Sequence, residues 1–339
     1  MQLLEGDCPS AKLCHVVEPW FLGPGATGPG GPEFTAFAEQ AAKDHGVQFH
    51  MRIADVPSVA DGVKRLALIS GRTADNPKYL REAIEAGCTT IYLEKPGAPT
   101  VTELEEMMGR ASAHGVTVLM GYNKNVAKYV ASVRKHAADV PGSHVTFVTN
   151  NAYENTPESL GECFERNSEG MLKNMVIHEL ALLVSFYDVA VNEIARVDAD
   201  QDFSSIQTLS GPSGKEFTDF DKIKFTIKTC SGKSVTVQAD RCGGDTSYAF
   251  VSDADGNEVY RHYMPDEDDK KMVEQLKAKY PGAMPYFFPQ HQDYITVKER
   301  VAKQCATGEP AEGIATIEIA VDTLKVAEYL TLELKKQLL

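Results

Sequence analysis

NPKYLREAIEAGCTTIYLEKP, residues 76–96, contains one helix and one buried strand with clear ends. Pro77 in the first turn and Gly87 after the last turn are typical of the two ends of a helix. The next residues, TTIYLEKP (89–96), form a short apolar run that predicts a buried strand ending before Pro96. A helix followed directly by a buried strand is the repeating element of a parallel α/β sheet.

The same alternation continues on both sides, and it changes after about residue 142. Further strands are predicted at 13–20, 64–70 and 116–123, with helices at 35–46 and 100–115. Later strands are predicted at 143–153 and 193–201 and in two hairpins, 221–240 and 247–263, with helices at 171–189, 292–308 and 313–337. We therefore predict an α/β Rossmann-like parallel-sheet domain over residues 1–141, followed by an α+β domain with a mostly antiparallel sheet over 142–339. This combination of domains suggests a nucleotide site on the first domain and a substrate-binding surface on the second, whose C-terminal helix can pack back on the first.

The composition excludes several functional classes. The 34 Lys and Arg residues against 48 Asp and Glu give a net charge of −14, which argues against a nucleic-acid partner. No apolar run approaches the ~20 residues that span a bilayer, so no membrane partner is expected. The seven cysteines include no C-x-x-C pair, which indicates reduced thiols in a cytoplasmic protein and no metal site. The acidic run Asp266–Asp269 is predicted to be a solvated loop.

Two positions carry the candidate chemistry. Lys95 follows a buried parallel strand, at the sheet edge where ligands bind, and partial burial lowers the pKa of a lysine toward acid–base use. The alternative is a solvated lysine at a strand end. His178 lies in a helix that is apolar nearly all round, with Asn174 four residues earlier, one turn away on the same face. The alternative there is a histidine that only fills the core.

These features resemble the glucose–fructose oxidoreductase and inositol dehydrogenase family (Gfo/Idh/MocA). The matching stretches are VEP (17–19), AIEAGCTTIYLEKPGAPTVTELEEM (83–107), LMGYNKN (119–125), the helix with His178, and QDYITVKERVAKQCATGEP (292–310). The resemblance implies an NAD(P)-dependent oxidoreductase that transfers a hydride between a nicotinamide cofactor and a sugar-like or polyol hydroxyl or carbonyl. It also implies a homo-oligomer formed through the sheet of the second domain.

The resemblance also assigns roles to residues. Lys95 would contact the nicotinamide end and the reacting hydroxyl, and His178 would be the general base, with Asn174 in place of the usual aspartate. Tyr122, Asn123 and Asn174 would contact substrate. Glu18 would accept hydrogen bonds from the adenosine ribose, which favours NAD while leaving NADP possible. The remaining cofactor contacts would come from the sheet edge, at Ser70, Asn76, Glu94, Lys95 and Pro96.

The largest departure from the family lies before Glu18. A dinucleotide fold places a strand, a G-x-G-x-x-G turn and a helix before that acid, and no such pattern precedes Glu18. We therefore expect either a chain that lacks the family's first βα unit or a family member that has lost the pyrophosphate site. A G-x-G-x-x-G string occurs at Gly23–Gly28, but residues 56–63 are too few for the helix that would follow, and nearby prolines remove N–H donors. We interpret it as an inserted loop. The alternative function is a catalytically inactive member that binds a nucleotide or sugar, or acts as a regulatory protein.

Overall fold

The structure, a computed structural model, describes residues 2–60 and 62–339. Its backbone contacts divide the chain into two compact units. Unit 1 comprises Met1–Ala98, Thr102–Gly121 and Ile295–Ile317, and unit 2 comprises Pro99–Val101, Tyr122–Tyr294 and Glu318–Leu339. Among the described residues, no helix has the length and apolar character required to cross a bilayer.

Unit 1 contains parallel strands with helices between them, as the sequence predicts. Its strands are β1 (His15–Val17), β2 (Gln48–His50), β3 (Leu66–Ile69), β4 (Thr90–Leu93) and β5 (Thr117–Met120), and the neighbouring helices are α1 (Gly31–His45), α2 (Asn76–Glu85) and α3 (Val101–Ala113). All pairings among these strands are parallel, but they form two sheets, β1–β2 and β3–β4–β5. Helix α1 ends at Gly46, whose left-handed conformation lets its N–H bond back to the last turn.

Burial differs sharply between the strands of unit 1. All four residues of β4 are buried, because β4 is the middle strand of three. Strand β3 is buried only at Ile69, and all three residues of β1 are half-buried. Strand β5 has a backbone partner besides β4, because the Met120 N–H donates to the Ala315 carbonyl at 2.8 Å.

Unit 2 is built on one seven-stranded sheet. Its strands are β6 (His144–Asn150), β7 (Ile194–Ala199), β8 (Ser205–Ser210), β9 (Glu216–Thr229), β10 (Ser234–Asp240), β11 (Ser247–Ser252) and β12 (Glu258–Met264). The strand order is β12-β11-β6-β10-β9-β7, with β8 also paired to β9. Strands β6 and β10 are parallel, whereas the other pairings are antiparallel, so the prediction of a mostly antiparallel sheet is confirmed. The two predicted hairpins are β9–β10 and β11–β12.

The helices from residue 122 onward include three that the sequence analysis did not predict. They are α4 (Lys128–Asp139), α5 (Pro157–Arg166), α6 (Met171–Asn174), α7 (Ile177–Phe186), α8 (Glu267–Lys279), α9 (His291–Thr307) and α10 (Ile317–Leu338). Helices α4, α5 and α8 are the additions, together with strand β8.

The acidic run Asp266–Asp269 is not a solvated loop, so that prediction is wrong. The Asp266 side chain accepts the Asp269 N–H, and the Asp269 side chain accepts the Asp266 N–H, which is a capping box at the start of α8. The acids in the first turn also face the positive end of the helix dipole.

The contact units change at Gly121–Tyr122, earlier than the predicted boundary near Pro141-Gly142. The reason is that α4 packs against strands β11 and β12 of unit 2, which are distant in sequence. The C-terminal helix α10 is part of unit 2 from Glu318 onward, and its Gln337 side chain bonds the backbone of Val197 and Ala199 on β7.

Candidate functional site

Unit 1 places Glu94, Lys95 and Pro96 directly after buried strand β4, as predicted. All three are half-buried, and the Lys95-Pro96 peptide bond is cis. The Glu94 carboxylate accepts the Tyr92 hydroxyl at 2.6 Å. Glycine is required at Gly121, after β5, because a Cβ there would lie 2.6 Å from the Tyr92 hydroxyl and 2.9 Å from Glu94 Oε2. The ends of β4 and β5 therefore meet around the Glu94 carboxylate.

Asn76 joins the start of α2 to the loop after β4. Its Nδ2 donates to the Gly97 carbonyl at 2.9 Å, and the side chain is buried. Its Oδ1 is also buried and has no hydrogen-bond partner among the described residues. A buried acceptor of this kind is satisfied by water or by a ligand.

Lys298 is a charged neighbour of this edge that the sequence analysis missed. Burial lowers the pKa of Lys298, while the nearby Glu94 carboxylate opposes that change. Its ammonium donates to the Gln2 side chain at 2.9 Å. The helix around Lys298 was predicted, but the lysine has no local signal because its neighbours come from distant parts of the sequence.

Glu18 and Ser70 follow β1 and β3. Ser70 is exposed, and Glu18 is half-buried. Glu18 Oε1 accepts the backbone N–H groups of Trp20 and Phe21 at 2.9 and 3.3 Å. Burial raises the pKa of the Tyr79 hydroxyl on α2, and the carboxylates of Asp75 and Glu18 raise it further. Glu18 and α2 therefore lie close enough to interact electrostatically.

The Gly23–Gly28 loop does not present its N–H groups to a phosphate. The N–H groups of Gly23 and Gly25 donate to the Trp20 carbonyl at 3.1 and 2.8 Å, and that of Gly28 donates to the Gly25 carbonyl at 3.1 Å. A Cβ at Gly25 would lie 2.2 Å from Trp20 Nε1, so glycine here makes room for the indole ring. This loop does not fit a pyrophosphate, which needs free backbone donors. The carboxylates of Glu94 and Glu18 and the buried Asn76 Oδ1 are hydrogen-bond acceptors, as the hydroxyl and amide groups of a dinucleotide require, and their role in binding one stays a prediction.

In unit 2, His178 lies in the first turn of α7. It is half-buried, and its ring meets the Tyr122 ring edge-on, with centroids 6.0 Å apart and an interplanar angle of 88°. Asn174 ends the preceding short helix α6 and is not on the same regular helix as His178. The Val176 N–H bonds the Met171 carbonyl five residues back, which widens the turn between α6 and α7. The Asn174 side chain donates to Glu169 at 2.9 Å.

Tyr122 and Asn123 are more deeply buried than a substrate-lining segment suggests. Their side chains are 1% and 0% exposed, and Asn123 Nδ2 donates to Gln290 Oε1 at 2.8 Å. Burial raises the pKa of the Tyr122 hydroxyl, so this group stays protonated. The assignments of Tyr122, Asn123 and Asn174 to substrate, like the other site assignments, stay predictions.

A buried ion pair beside His178 is the main feature that the sequence analysis missed. Lys124 donates to the Glu179 carboxylate, and their side chains are 6% and 1% exposed. Lys124 also donates to Thr149 Oγ1 at 3.0 Å. A signal existed, because Lys124 lies in LMGYNKN and Glu179 follows His178 in an apolar helix, and such charges are rarely buried unless paired.

The fold is shared with dehydrogenases of known structure. One is a myo-inositol dehydrogenase from Corynebacterium glutamicum, which is 14% identical in sequence. The match covers 98% of this chain and 92% of that enzyme's chain, with a TM-score of 0.66. An apo scyllo-inositol dehydrogenase from Lactobacillus casei is 12% identical, covering 99% and 92%, with a TM-score of 0.65. The chain has the Gfo/Idh/MocA fold.

A third similar structure carries a cofactor. It is GenD2 from gentamicin A biosynthesis in complex with NAD, and it is 15% identical in sequence. The match covers 96% of this chain and 88% of the GenD2 chain, with a TM-score of 0.64. Neither a protein-family model nor a curated protein sequence matches this chain. The likeness is therefore one of fold, at low sequence identity.

Proposed function

We propose that this protein is an NAD(P)-dependent oxidoreductase that transfers a hydride between a nicotinamide cofactor and a sugar-like or polyol hydroxyl or carbonyl. The observation that carries the proposal is the half-buried Lys95 directly after the buried strand β4, beside Glu94. The proposal is supported by the shared fold with structures named as inositol dehydrogenases and with one bound to NAD.

The cofactor, when bound, supplies or accepts the hydride. Asn76, Glu94, Lys95, Pro96 and Ser70 would hold it at the sheet edge, and Glu18 would bind the adenosine ribose. A carboxylate at Glu18 repels a 2′-phosphate, so we propose NAD ahead of NADP.

The proton chemistry is assigned to side chains of this protein. His178 would take the proton from the reacting hydroxyl as general base, and Lys95 would donate a hydrogen bond to that oxygen. Asn174 would orient the hydroxyl, but it carries no charge to stabilise an imidazolium, unlike the aspartate usual in the family. Tyr122 and Asn123 would shape the substrate side of the site.

A second candidate is a catalytically inactive protein that binds a nucleotide or sugar, or regulates a partner. The internal bonding of the Gly23–Gly28 loop favours it, because no pyrophosphate donors come from that loop. The two candidates differ when substrate is added to the protein with its cofactor: an oxidoreductase turns the substrate over, whereas an inactive protein only binds.

The test begins with calorimetric titration of the purified chain with NADH and NADPH. We expect NADH to bind more tightly than NADPH, and Glu18→Ala to reduce the difference.

Oxidation of myo-inositol and scyllo-inositol by NAD is then followed, with an expected loss of about 10²–10⁴-fold in kcat/KM for His178→Ala. Lys78→Ala is a control, because the Lys78 side chain is 61% exposed. Binding without turnover would favour the second candidate, and no binding of either nucleotide would contradict both the oxidoreductase and a nicotinamide-nucleotide sensor.

We further propose a cytoplasmic homo-oligomer. The location is supported by cysteines that are all free, as in a reducing compartment. The assembly rests on the resemblance to the family, and it would use the sheet of unit 2, where His144 and Thr226 are only half-buried. Light scattering of the purified chain measures the mass, and a monomer at all concentrations would contradict the assembly.

A further inference from the structure

Residues Tyr122–Asn125, which we name the clamp segment, are buried at every position although three of the four are amides or a lysine. The four residues are 1%, 0%, 5% and 7% exposed. A short 3-10 helix begins within the segment, at Asn123. Burying so many polar groups next to one another is costly, so the partners that these side chains do have indicate the role of the segment.

Three of the four side chains contact the same helix, α7. The Tyr122 ring meets the His178 ring edge-on at 6.0 Å between centroids. Lys124 donates to the Glu179 carboxylate. Asn125 Nδ2 donates to Ser185 Oγ at 2.9 Å. The contacts therefore hold α7 near both of its ends, at residues 178–179 and at residue 185.

The fourth side chain and a further bond tie the segment to the rest of unit 2. Asn123 Nδ2 donates to Gln290, just before α9, and Lys124 donates to Thr149 on β6. Lys124 thus connects the sheet to Glu179, the residue next to His178. The position and rotation of the first turn of α7 depend on this connection, because a buried ammonium and carboxylate tolerate little separation.

We propose that Lys124 is a positioning residue for His178, acting through Glu179 and the first turn of α7. The inference rests on the proposed function only where it concerns catalysis, since the effect on His178 itself is measurable without any substrate. Two other ionisable groups, Tyr129 and Asp293, lie within electrostatic reach of the pair. They do not replace Lys124, because neither can donate a charged hydrogen bond to Glu179.

The first test uses nuclear magnetic resonance of the histidine rings in the full chain, with the His178 signals assigned by comparison with His178→Gln. We expect Lys124→Met to shift and broaden the His178 signals and Lys124→Arg to restore them in part. The matched control is Arg241→Met, which breaks another deeply buried ion pair of unit 2, Arg241 with Asp219 at 2.7 Å. That variant should lower thermal stability while leaving the His178 signals in place. Unchanged His178 signals in folded Lys124→Met would overturn the proposal.

The second test separates positioning from simple loss of stability. Lys124→Met leaves the Glu179 carboxylate buried without its counter-ion, whereas the double variant Lys124→Met/Glu179→Leu removes both charges and should regain stability. We expect kcat to stay on the order of 10²-fold below wild type in the double variant, because small misplacement of a catalytic group is enough for such a loss. Recovery of kcat together with stability would show that Lys124 is only structural, and would overturn the proposal.

The two tests also distinguish this inference from the proposed function. A wild-type chain without dehydrogenase activity, whose His178 signals nevertheless move in Lys124→Met, would contradict the proposed function and leave the positioning role intact. An active wild type, together with His178 signals that do not move in Lys124→Met, would support the proposed function and contradict the positioning role.

Discussion

The strands of unit 1 lie in two separate sheets, whereas the seven strands of unit 2 form one. In unit 2 the long strand β9 alternates, with Ile223, Phe225 and Ile227 buried at every second position. In unit 1, β1 and β2 have no buried residue, and their apolar side chains are half-buried. Among the described residues, β1 pairs only with β2 and β3 only with β4. The difference shows that an apolar run produces a buried strand only where neighbours cover it on both edges and both faces.

The largest expected effect comes from a matched pair of phenylalanines. Phe225 on β9 is 1% exposed, whereas Phe49 on β2 is half-buried and contacts only the rings of Phe34 and Phe37 among the aromatic residues described. Phe225→Ala should lower the free energy of unfolding by about 3–5 kcal/mol, because a buried ring leaves a cavity. Phe49→Ala should cost only ~1–2 kcal/mol, in proportion to the smaller area it buries.

Denaturant unfolding of both variants, followed by circular dichroism, measures these costs. Equal losses for the two variants would contradict the comparison, since they would mean that β2 is as well covered as β9. The two units can unfold in separate transitions, and fluorescence detects this. The single tryptophan, Trp20, reports on unit 1, and its signal is compared with the tyrosine fluorescence of the whole chain.

A second prediction concerns charge within unit 2. Burial raises the pKa of Asp293 to about 7, and the Asp269 carboxylate adds to the rise while Lys124 opposes it. Because the folded state favours the protonated acid, its stabilising contribution is complete below about pH 4 and is lost as the pH rises through about 7. Asp293→Asn should remove this dependence and be more stable than wild type at pH 8 by about 1–2 kcal/mol, a value reduced for the partial exposure of the side chain.

Urea unfolding at pH 5 and pH 8 tests that prediction. Asp268→Asn is the matched control, because the Asp268 side chain is 93% exposed and its loss should change little. If wild type and Asp293→Asn showed the same change in stability between these two pH values, Asp293 would ionise normally and the prediction would be contradicted.

Much of the fold was predictable because its signals are local. Pro77 and Gly87 mark the ends of α2, and glycine turns mark the hairpins of unit 2. Strand β8 and helices α4, α5 and α8 lack such clear signals and were missed. Helix α8 was hidden because its acidic first turn, read as a solvated run, is stabilised by a capping box that only backbone geometry reveals.

The site was less predictable than the fold, for a physical reason. Lys95 and Glu94 could be placed because both follow a strand directly. Glu179 in an apolar helix indicates a buried, paired charge, but its partner Lys124 lies 55 residues earlier, so only tertiary contacts identify the pair. The interpretation of the Gly23–Gly28 loop as an insertion rested on the prolines and on the short segment that follows, and it stays a prediction.

The smallest expected effect returns to β1, where valines of similar size can be compared between the units. Val16 on β1 is half-buried, whereas Val237 on β10 is fully buried between two paired strands. Val237→Ala should cost about 2–3 kcal/mol, and Val16→Ala less than ~1 kcal/mol, because exposed methyl groups lose little on removal. Hydrogen exchange gives the same comparison without mutation: amides of β1 and β2 should exchange through local openings, and those of β9 and β10 only through global unfolding. Protection of β1 equal to that of β10 would mean that β1 is covered on its second edge in solution, and the contrast between the two units would then not hold.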